Sequence, residues 1–109
     1  DPTIDPKLYP PSGQKFYTDY KAKYGIQPEP YAIYGYEAMS VVLDSIKRAA
    51  AKGNDRQTVI DQFFATKNRD SVFGTYSINK YGDTTLSDYG AKTVKGGQLV
   101  FNKVIKAAS

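Results

Sequence analysis

The longest hydrophobic pattern in the chain lies between Pro28 and Gly53 and predicts a helix that is largely buried. Polar or small residues recur there at spacings of three and four, which places them along one face of a helix. They are Glu37, Ser40, Asp44, Lys47, Arg48 and Ala51. The other positions are mainly apolar and cover well over half of the circumference, so we expect only this stripe to face water. Pro30 suits the first turn, and Gly53 suits the left-handed residue that ends a helix.

A shorter helix is predicted before this one, after a proline-rich connector over residues 1–11. Ser12 is the expected N-cap and Gly25 the expected stop. Aromatic residues repeat at every fourth position between them, so we expect them to pack in the core while the charged residues of the same helix face water. The aromatic residues are Phe16, Tyr20 and Tyr24.

A third helix is predicted after Gly53. Asn54 and Gln57 have the spacing of a capping box at its start. Four apolar residues then form its expected buried face, and the pattern fades near residues 66–68. The four residues are Val59, Ile60, Phe63 and Phe64.

The last third of the chain is predicted to be extended. Val72 to Ile78 alternates in part, and Asn79 to Asp83 is a turn in which Gly82 can take a positive φ. Gly96 and Gly97 are a two-residue hairpin signal. They would join strands at Tyr89 to Lys95 and Gln98 to Ile105. The sequence therefore predicts an α/β chain with about three helices followed by short strands and a C-terminal β-hairpin.

Several stretches, taken in order, resemble the C-terminal third of ABC-transporter solute-binding proteins of the branched-chain amino acid class. They are FYTDYKAKYG at residues 16–25, GYEA at Gly35 to Ala38, FGTYSINKYGD at Phe73 to Asp83, and YGAKTVKGGQLVF at residues 89–101. Members of that family are several-fold longer than this chain of 109 residues. The resemblance therefore implies a fragment of the type I periplasmic binding protein fold.

The resemblance also implies how the chain is divided. In the family, two lobes joined by three crossing segments close on a solute, and the closed form docks on a membrane permease. Residues 1–83 would belong to the first lobe, and residues 84–109 would form the third crossing and a hairpin of the second lobe, so no complete domain is expected. The whole protein would be periplasmic or extracellular, either free or anchored as a lipoprotein, and would bind a branched-chain amino acid or a related small solute.

Two tyrosines at the start of the long helix are the candidate ligand-binding residues. In the family, the aromatic residue at the position that matches Tyr31 lines the cleft and touches the bound amino acid. Tyr34 is close enough to reach the same cleft. The alternative for Tyr31 is packing beneath the connector as a core residue. Tyr36 and Met39 are assigned to packing.

Composition argues against an enzyme, a metal centre or a bound cofactor. The chain has no histidine and no cysteine, so the usual zinc ligands are missing. Nucleophilic catalysis would need a Ser-Lys pair, and the two S-x-x-K matches, at Ser12 to Lys15 and Ser77 to Lys80, lack the companion motifs. No apolar run approaches the ~20 residues that span a bilayer.

A free-standing basic, tyrosine-rich module that binds nucleic acid or an acidic polymer is the alternative function. The formal charge is +4, and tyrosines alternate with lysines in residues 16–25. Because both signs of charge are mixed there, we expect no nucleic-acid partner. The long helix is apolar over more surface than its neighbours can cover, so we expect the chain alone to self-associate or to exchange elements between copies.

Overall fold

The computed structural model describes residues 3–107, in which three helices precede two short antiparallel sheets. Helix α1 is Pro11–Tyr24, α2 is Ala32–Ala49 and α3 is Arg56–Phe64. Short 3-10 turns lie at Pro6–Leu8 and Ala50–Lys52. The strands are β1 at Arg69–Ser71, β2 at Gly74–Tyr76, β3 at Asp88–Lys95 and β4 at Gln98–Lys106. The predicted α/β class, with helices first and a hairpin last, is confirmed.

Helix α1 ends as predicted but begins differently. Gly25 takes the left-handed conformation, at φ 74°, and stops the helix. The N-cap is Pro10 rather than Ser12, whose hydroxyl instead donates to the carbonyl oxygen of Ser71 at 3.1 Å. A Cβ added at Gly13 would lie 2.3 Å from the carbonyl oxygen of Val72, so only glycine allows α1 to approach this backbone so closely.

The ends of α2 and α3 differ from the predictions by a few residues. Gly53 has a right-handed φ of −63°, and Ala50, at φ 52°, makes the positive-φ turn instead. Asp55 rather than Asn54 caps α3, because its carboxylate accepts from the backbone N–H of Thr58 at 2.9 Å. The predicted capping box is therefore wrong by one residue.

Helix α2 is turned about its axis relative to the prediction. Every fourth residue faces inward, and this buried row includes a carboxylate and a hydroxyl. The row is Ile33, Glu37, Val41, Ser45 and Ala49. Glu37, placed on the solvent stripe by its periodicity, is 5% exposed, whereas Met39 and Leu43 are exposed. The predicted orientation is wrong because Glu37 has partners from distant parts of the chain.

Those partners tie α2 to the first sheet. The Glu37 carboxylate accepts from Arg69 Nε at 2.7 Å and from the Tyr76 hydroxyl at 2.8 Å. Arg69 also reaches the Asp44 carboxylate at 3.5 Å, about two turns after Glu37 on α2. Because each partner comes from a different element, this cluster fixes the position of α2 against β1 and β2.

The aromatic core lies between α1, the start of α2 and the β1–β2 turn. Tyr9, Ile33 and Val72 are its buried centre. Around them pack Ile4, Phe16, Tyr17, Tyr34 and Phe73. Of the predicted aromatic face of α1, Phe16 and Tyr20 are half-buried and Tyr24 is exposed. The predicted core position is thus correct only in part.

Helix α3 also buries less than predicted. Val59 and Phe63 are half-buried, but Ile60 and Phe64 are exposed.

The predicted strand over Val72 to Ile78 is divided. Residues 69–71 and 74–76 pair as a small hairpin, and only a single bridge joins Ile78 to Thr84. The turn at Asn79 to Asp83 is confirmed, with Gly82 at φ 90°. The C-terminal hairpin is also confirmed, with Gly96 and Gly97 both at positive φ.

Replacing Glu37 by alanine should lower the free energy of unfolding by about 3 kcal/mol, because it leaves the mostly buried Arg69 guanidinium without its main counter-charge. Asp19→Ala is the matched control: it breaks the exposed Lys15–Asp19 pair and should cost less than about 1 kcal/mol. Urea unfolding followed by circular dichroism measures both. Equal losses would contradict the structural role of Glu37.

Candidate functional site

A cavity of about 420 Å³ lies between the aromatic core and the segment that leads into the C-terminal hairpin. Its aromatic wall is formed by Tyr9, Tyr34 and Phe73, with Ile4 beside them. Its mainly polar wall is formed by Thr75 and residues 84–89, among which Leu86 is apolar. The volume falls in the range usual for small-molecule sites.

Three separate elements supply the aromatic wall. Tyr34 stands on the first turn of α2, Phe73 on the β1–β2 turn and Tyr9 just after the first 3-10 turn. The ring centroids of Tyr34 and Phe73 are 4.5 Å apart, and those of Tyr9 and Phe73 are 5.7 Å apart in an edge-to-face arrangement. Such arrangements are favourable for aromatic pairs. The wall is therefore a packed aromatic surface.

The phenols of this wall stay neutral at physiological pH. Burial is the main cause that raises the pKa of Tyr9 and the pKa of Tyr34. Burial, followed by the neighbouring Tyr9 phenol, raises the pKa of Tyr17 behind the wall to about 12. A neutral phenol both donates and accepts hydrogen bonds, so the wall offers polar groups without charge.

The opposite wall carries hydroxyl groups and one carboxylate. Thr85 is held in place because its hydroxyl accepts from the Ser77 N–H at 3.0 Å, and its own N–H donates to the Ser77 carbonyl at 3.0 Å. Asp88 is the charged residue of the lining, and its carboxylate is 4.0 Å from Lys106 Nζ. An apolar wall facing a polar one suits a small solute that has an apolar part and a polar part.

The structure brings the two predicted site residues together at the N-terminus of α2. Their ring centroids are 5.9 Å apart. Tyr34 lines the cavity, whereas Tyr31 is 58% exposed and lies just outside the lining. This exposure is at odds with the alternative that Tyr31 is a core residue. Met39 was assigned to packing, but its side chain is exposed. Tyr36 was assigned to packing as well, and this is partly correct: its ring centroid lies 5.0 Å from that of Phe16, although the side chain remains exposed.

Sequence reasoning missed most of the cavity lining. Tyr9 lies in a proline-rich connector that has no periodicity, and residues 84–87 form an irregular segment. Phe73 opens the FGTYSINKYGD stretch, and this motif was the one signal that pointed to the region.

A second groove, of about 490 Å³, runs along α1. Its floor is aromatic, and charged residues of both signs line its edge. The aromatic residues are Phe16, Tyr20, Tyr24 and Tyr36. Lys15 on the edge pairs with Asp19, so the lysines there do not form a surface of one sign.

The residues considered for catalysis have other contacts. Ser12 bonds the Ser71 backbone, and the Ser77 hydroxyl accepts from the Asn68 N–H at 2.9 Å. Within residues 3–107, no three His, Cys, Asp or Glu side chains gather as a metal site would require.

None of the helices described between residues 3 and 107 is both long and apolar enough to cross a bilayer.

Comparison with known proteins identifies one relevant likeness. Searches with family models and against curated proteins return no match. Among solved structures, the chain is similar to the leucine-binding protein LivK of Thermotoga maritima, with a TM-score of 0.77 and 33% identity over 95% of this chain. The match spans 29% of the length of that protein. The fold is thus that of a segment of a type I periplasmic binding protein.

Alkaline pH should destabilise the chain between pH 10 and about 12. Burial, and then the hydrogen bond to Glu37, raise the pKa of Tyr76 to about 12. In the unfolded chain a tyrosine loses its proton near pH 10. The folded state therefore binds more protons in this window, and the stability that is present below pH 10 is lost as the pH rises through it.

Urea unfolding at pH 9, 10, 11 and 12 measures this effect. Tyr76→Phe should make the decline shallower, whereas Tyr81→Phe, at an exposed position, should leave it unchanged. An identical decline in the wild type and Tyr76→Phe would contradict the role of Tyr76.

Proposed function

We propose that this chain is the C-terminal part of a periplasmic or extracellular solute-binding receptor. The receptor captures a branched-chain or related amino acid in a cleft between two lobes and delivers it to an ABC importer in the membrane. The likeness to a leucine-binding protein over 95% of the chain carries this proposal. A receptor of this kind binds its solute without changing it chemically.

The position of the cavity supports the proposal. Tyr9, Tyr34 and Phe73 lie on the side assigned to the first lobe, residues 1–83. Thr84 to Asp88 on the other side are the assigned third crossing, which leads into the hairpin of the second lobe. The crossing and the hairpin together are the assigned residues 84–109. A cavity at this boundary is where a ligand can touch both lobes and thereby stabilise the closed form.

Tyr31 and Tyr34 are the proposed ligand contacts of this chain. The aromatic rings offer an apolar surface to an aliphatic side chain, while the phenol of Tyr34 remains neutral. The exposed ring of Tyr31 would be covered when a ligand and the second lobe close over it. The groups that hold the α-ammonium and the α-carboxylate come from other parts of the receptor.

The alternative, a module that binds nucleic acid or an acidic polymer, would use the groove along α1. Phosphate binding gains most from several unpaired cations on one surface. In this groove Lys15 is paired with Asp19, which weakens the attraction for a polyanion. The receptor is therefore the better supported function.

A chimera tests the proposal directly. The matched segment of the Thermotoga maritima leucine-binding protein is replaced by this chain, and leucine binding is measured by calorimetry. The chimera should bind leucine, and Tyr31→Ala should weaken its affinity by about fivefold or more, which corresponds to about 1 kcal/mol.

Tyr24→Ala in the same chimera is the control, because Tyr24 is equally exposed but lies on α1 away from the cavity. It should leave the affinity unchanged. Equal affinities for the chimera and its Tyr31→Ala variant would reject the role of Tyr31.

The chain alone should show no saturable heat with leucine, isoleucine or valine, because it holds only part of the proposed site. Micromolar binding by the chain alone would contradict its assignment as a receptor segment.

A further inference from the structure

One lysine of the C-terminal hairpin differs from the others in its surroundings. Lys95, Lys103 and Lys106 are exposed, as lysines usually are, whereas Lys92 is half-buried. Its ammonium group donates a hydrogen bond of 2.7 Å to the hydroxyl of Thr3, which is 3% exposed. Hydrogen bonds from a charged donor are the stronger ones, and this length is at the short end of their range. The contact is therefore a specific one between β3 and the N-terminal segment.

An irregularity in the hairpin lies at the same position. Ala91 and Lys92 are successive residues of β3, but their partners on β4, Lys103 and Phe101, are two residues apart. Asn102 is thus the extra residue of a β-bulge. Bulges of this kind bend a strand pair and increase its twist, and they are frequent beside functional sites. The bend lies at the lysine that reaches the N-terminal segment.

The segment that Lys92 contacts is part of the aromatic wall of the cavity. Ile4, which follows Thr3, lines the cavity, and its N–H donates to the Tyr9 hydroxyl at 3.5 Å. Tyr9 also lines the cavity and shares a hydrogen bond with the phenol of Tyr34. A continuous series of contacts therefore runs from Lys92, through Thr3 and Ile4, to the two phenols of the wall.

The charge of Lys92 acts on the same wall. Burial is the main cause that raises the pKa of the Tyr9 phenol, and three smaller effects lower it. They are the hydrogen bonds with Ile4 and Tyr34 and, after these, the positive charge of Lys92. Lys92 is thus close enough to Tyr9 for its field to act there, although it is not a residue of the cavity lining. It can influence the site without touching a solute.

We propose that Lys92 is a positioning residue of the solute site. By holding Thr3 against β3, it fixes Ile4 and Tyr9, and through Tyr9 the phenol of Tyr34, in the wall of the cavity. The hairpin that carries Lys92 is assigned to the second lobe, whereas the residues that it positions are assigned to the first. The role in solute binding rests on the proposed function, but the positioning of the N-terminal segment does not.

Leucine binding by the chimera with the Thermotoga maritima protein tests the effect on the site. Lys92→Met keeps a side chain of similar shape but removes the charge and the hydrogen bond, and it should weaken the affinity by about fivefold. Lys92→Arg retains a charged donor and should restore most of the affinity. Lys95→Met removes the same charge at the exposed end of β3, so it is the control and should leave the affinity unchanged.

Thr3→Val tests whether the effect passes through the N-terminal segment. It keeps the branched shape of the side chain and removes the hydroxyl, so it should weaken the affinity as Lys92→Met does. The double variant should lose no more than the larger single loss, because both substitutions break the same hydrogen bond. Losses that multiply in the double variant would overturn the route through Thr3.

Amide hydrogen exchange of the 109-residue chain tests the positioning without a ligand. In Lys92→Met, the amides of Ile4 and Tyr9 should exchange about tenfold faster, because the segment opens more often when its contact with β3 is lost. The amides of α2 should keep their rates, which verifies that the variant is folded. Lys95→Met should change neither group of amides.

Two results would overturn the proposal. One is unchanged exchange at Ile4 and Tyr9 in Lys92→Met. The other is a chimera that binds leucine with the same affinity before and after Lys92→Met. A chimera that binds no leucine would reject the proposed function instead, and the exchange rates of the chain alone would then decide whether Lys92 positions the wall.

Discussion

The buried cluster around Glu37 sets the orientation of α2, and the rest of the molecule depends on that orientation. Arg69 and Tyr76 both donate to one carboxylate, so α2 cannot rotate about its axis without leaving charged groups unpaired away from water. With Glu37 turned inward, Ile33, which lies one helical turn before Glu37, packs in the core, and Tyr34 lines the cavity. The same rotation carries Met39 to the surface. The Glu37 cluster thus determines which apolar residues of α2 face the core and which face outward.

Periodicity in the sequence was sufficient to locate the three helices and the terminal hairpin, but it could not orient α2. A carboxylate among apolar residues is expected in water unless a partner is known. The partner of Glu37 lies 32 residues away, on a three-residue strand whose sequence carries no strand pattern. The N-cap of α3 differs from the predicted one for a similar reason. Asn54 and Asp55 are both good N-cap residues, and only the geometry of α3 selects Asp55.

The sequence pointed to the region of the candidate site where a motif marked it. The family resemblance indicated Tyr31, which lies just outside the cavity lining, and Tyr34, added because it lies close to Tyr31, is the one of the two that lines the cavity. Much of the polar wall comes from the irregular segment at residues 84–87, which lines a cavity only because two distant parts of the chain meet there. Thr85, for example, is positioned by backbone bonds to Ser77 and not by any repeating pattern. Sites of this kind become visible only in three dimensions.

The two ends of the described chain meet at the cavity. Ile4 lines it directly, and the N–H of Ala107 donates at 2.9 Å to the carbonyl oxygen of Ser87, another lining residue. The Lys92 ammonium group donates a hydrogen bond of 2.7 Å to the hydroxyl of Thr3, which lies 89 positions earlier in the sequence. A fluorophore attached at residue 4 would therefore sit in the lining of the cavity, and one at residue 107 would sit beside Ser87 of that lining. In a receptor that contains this segment, either label would report the filling or emptying of the space as an optical signal.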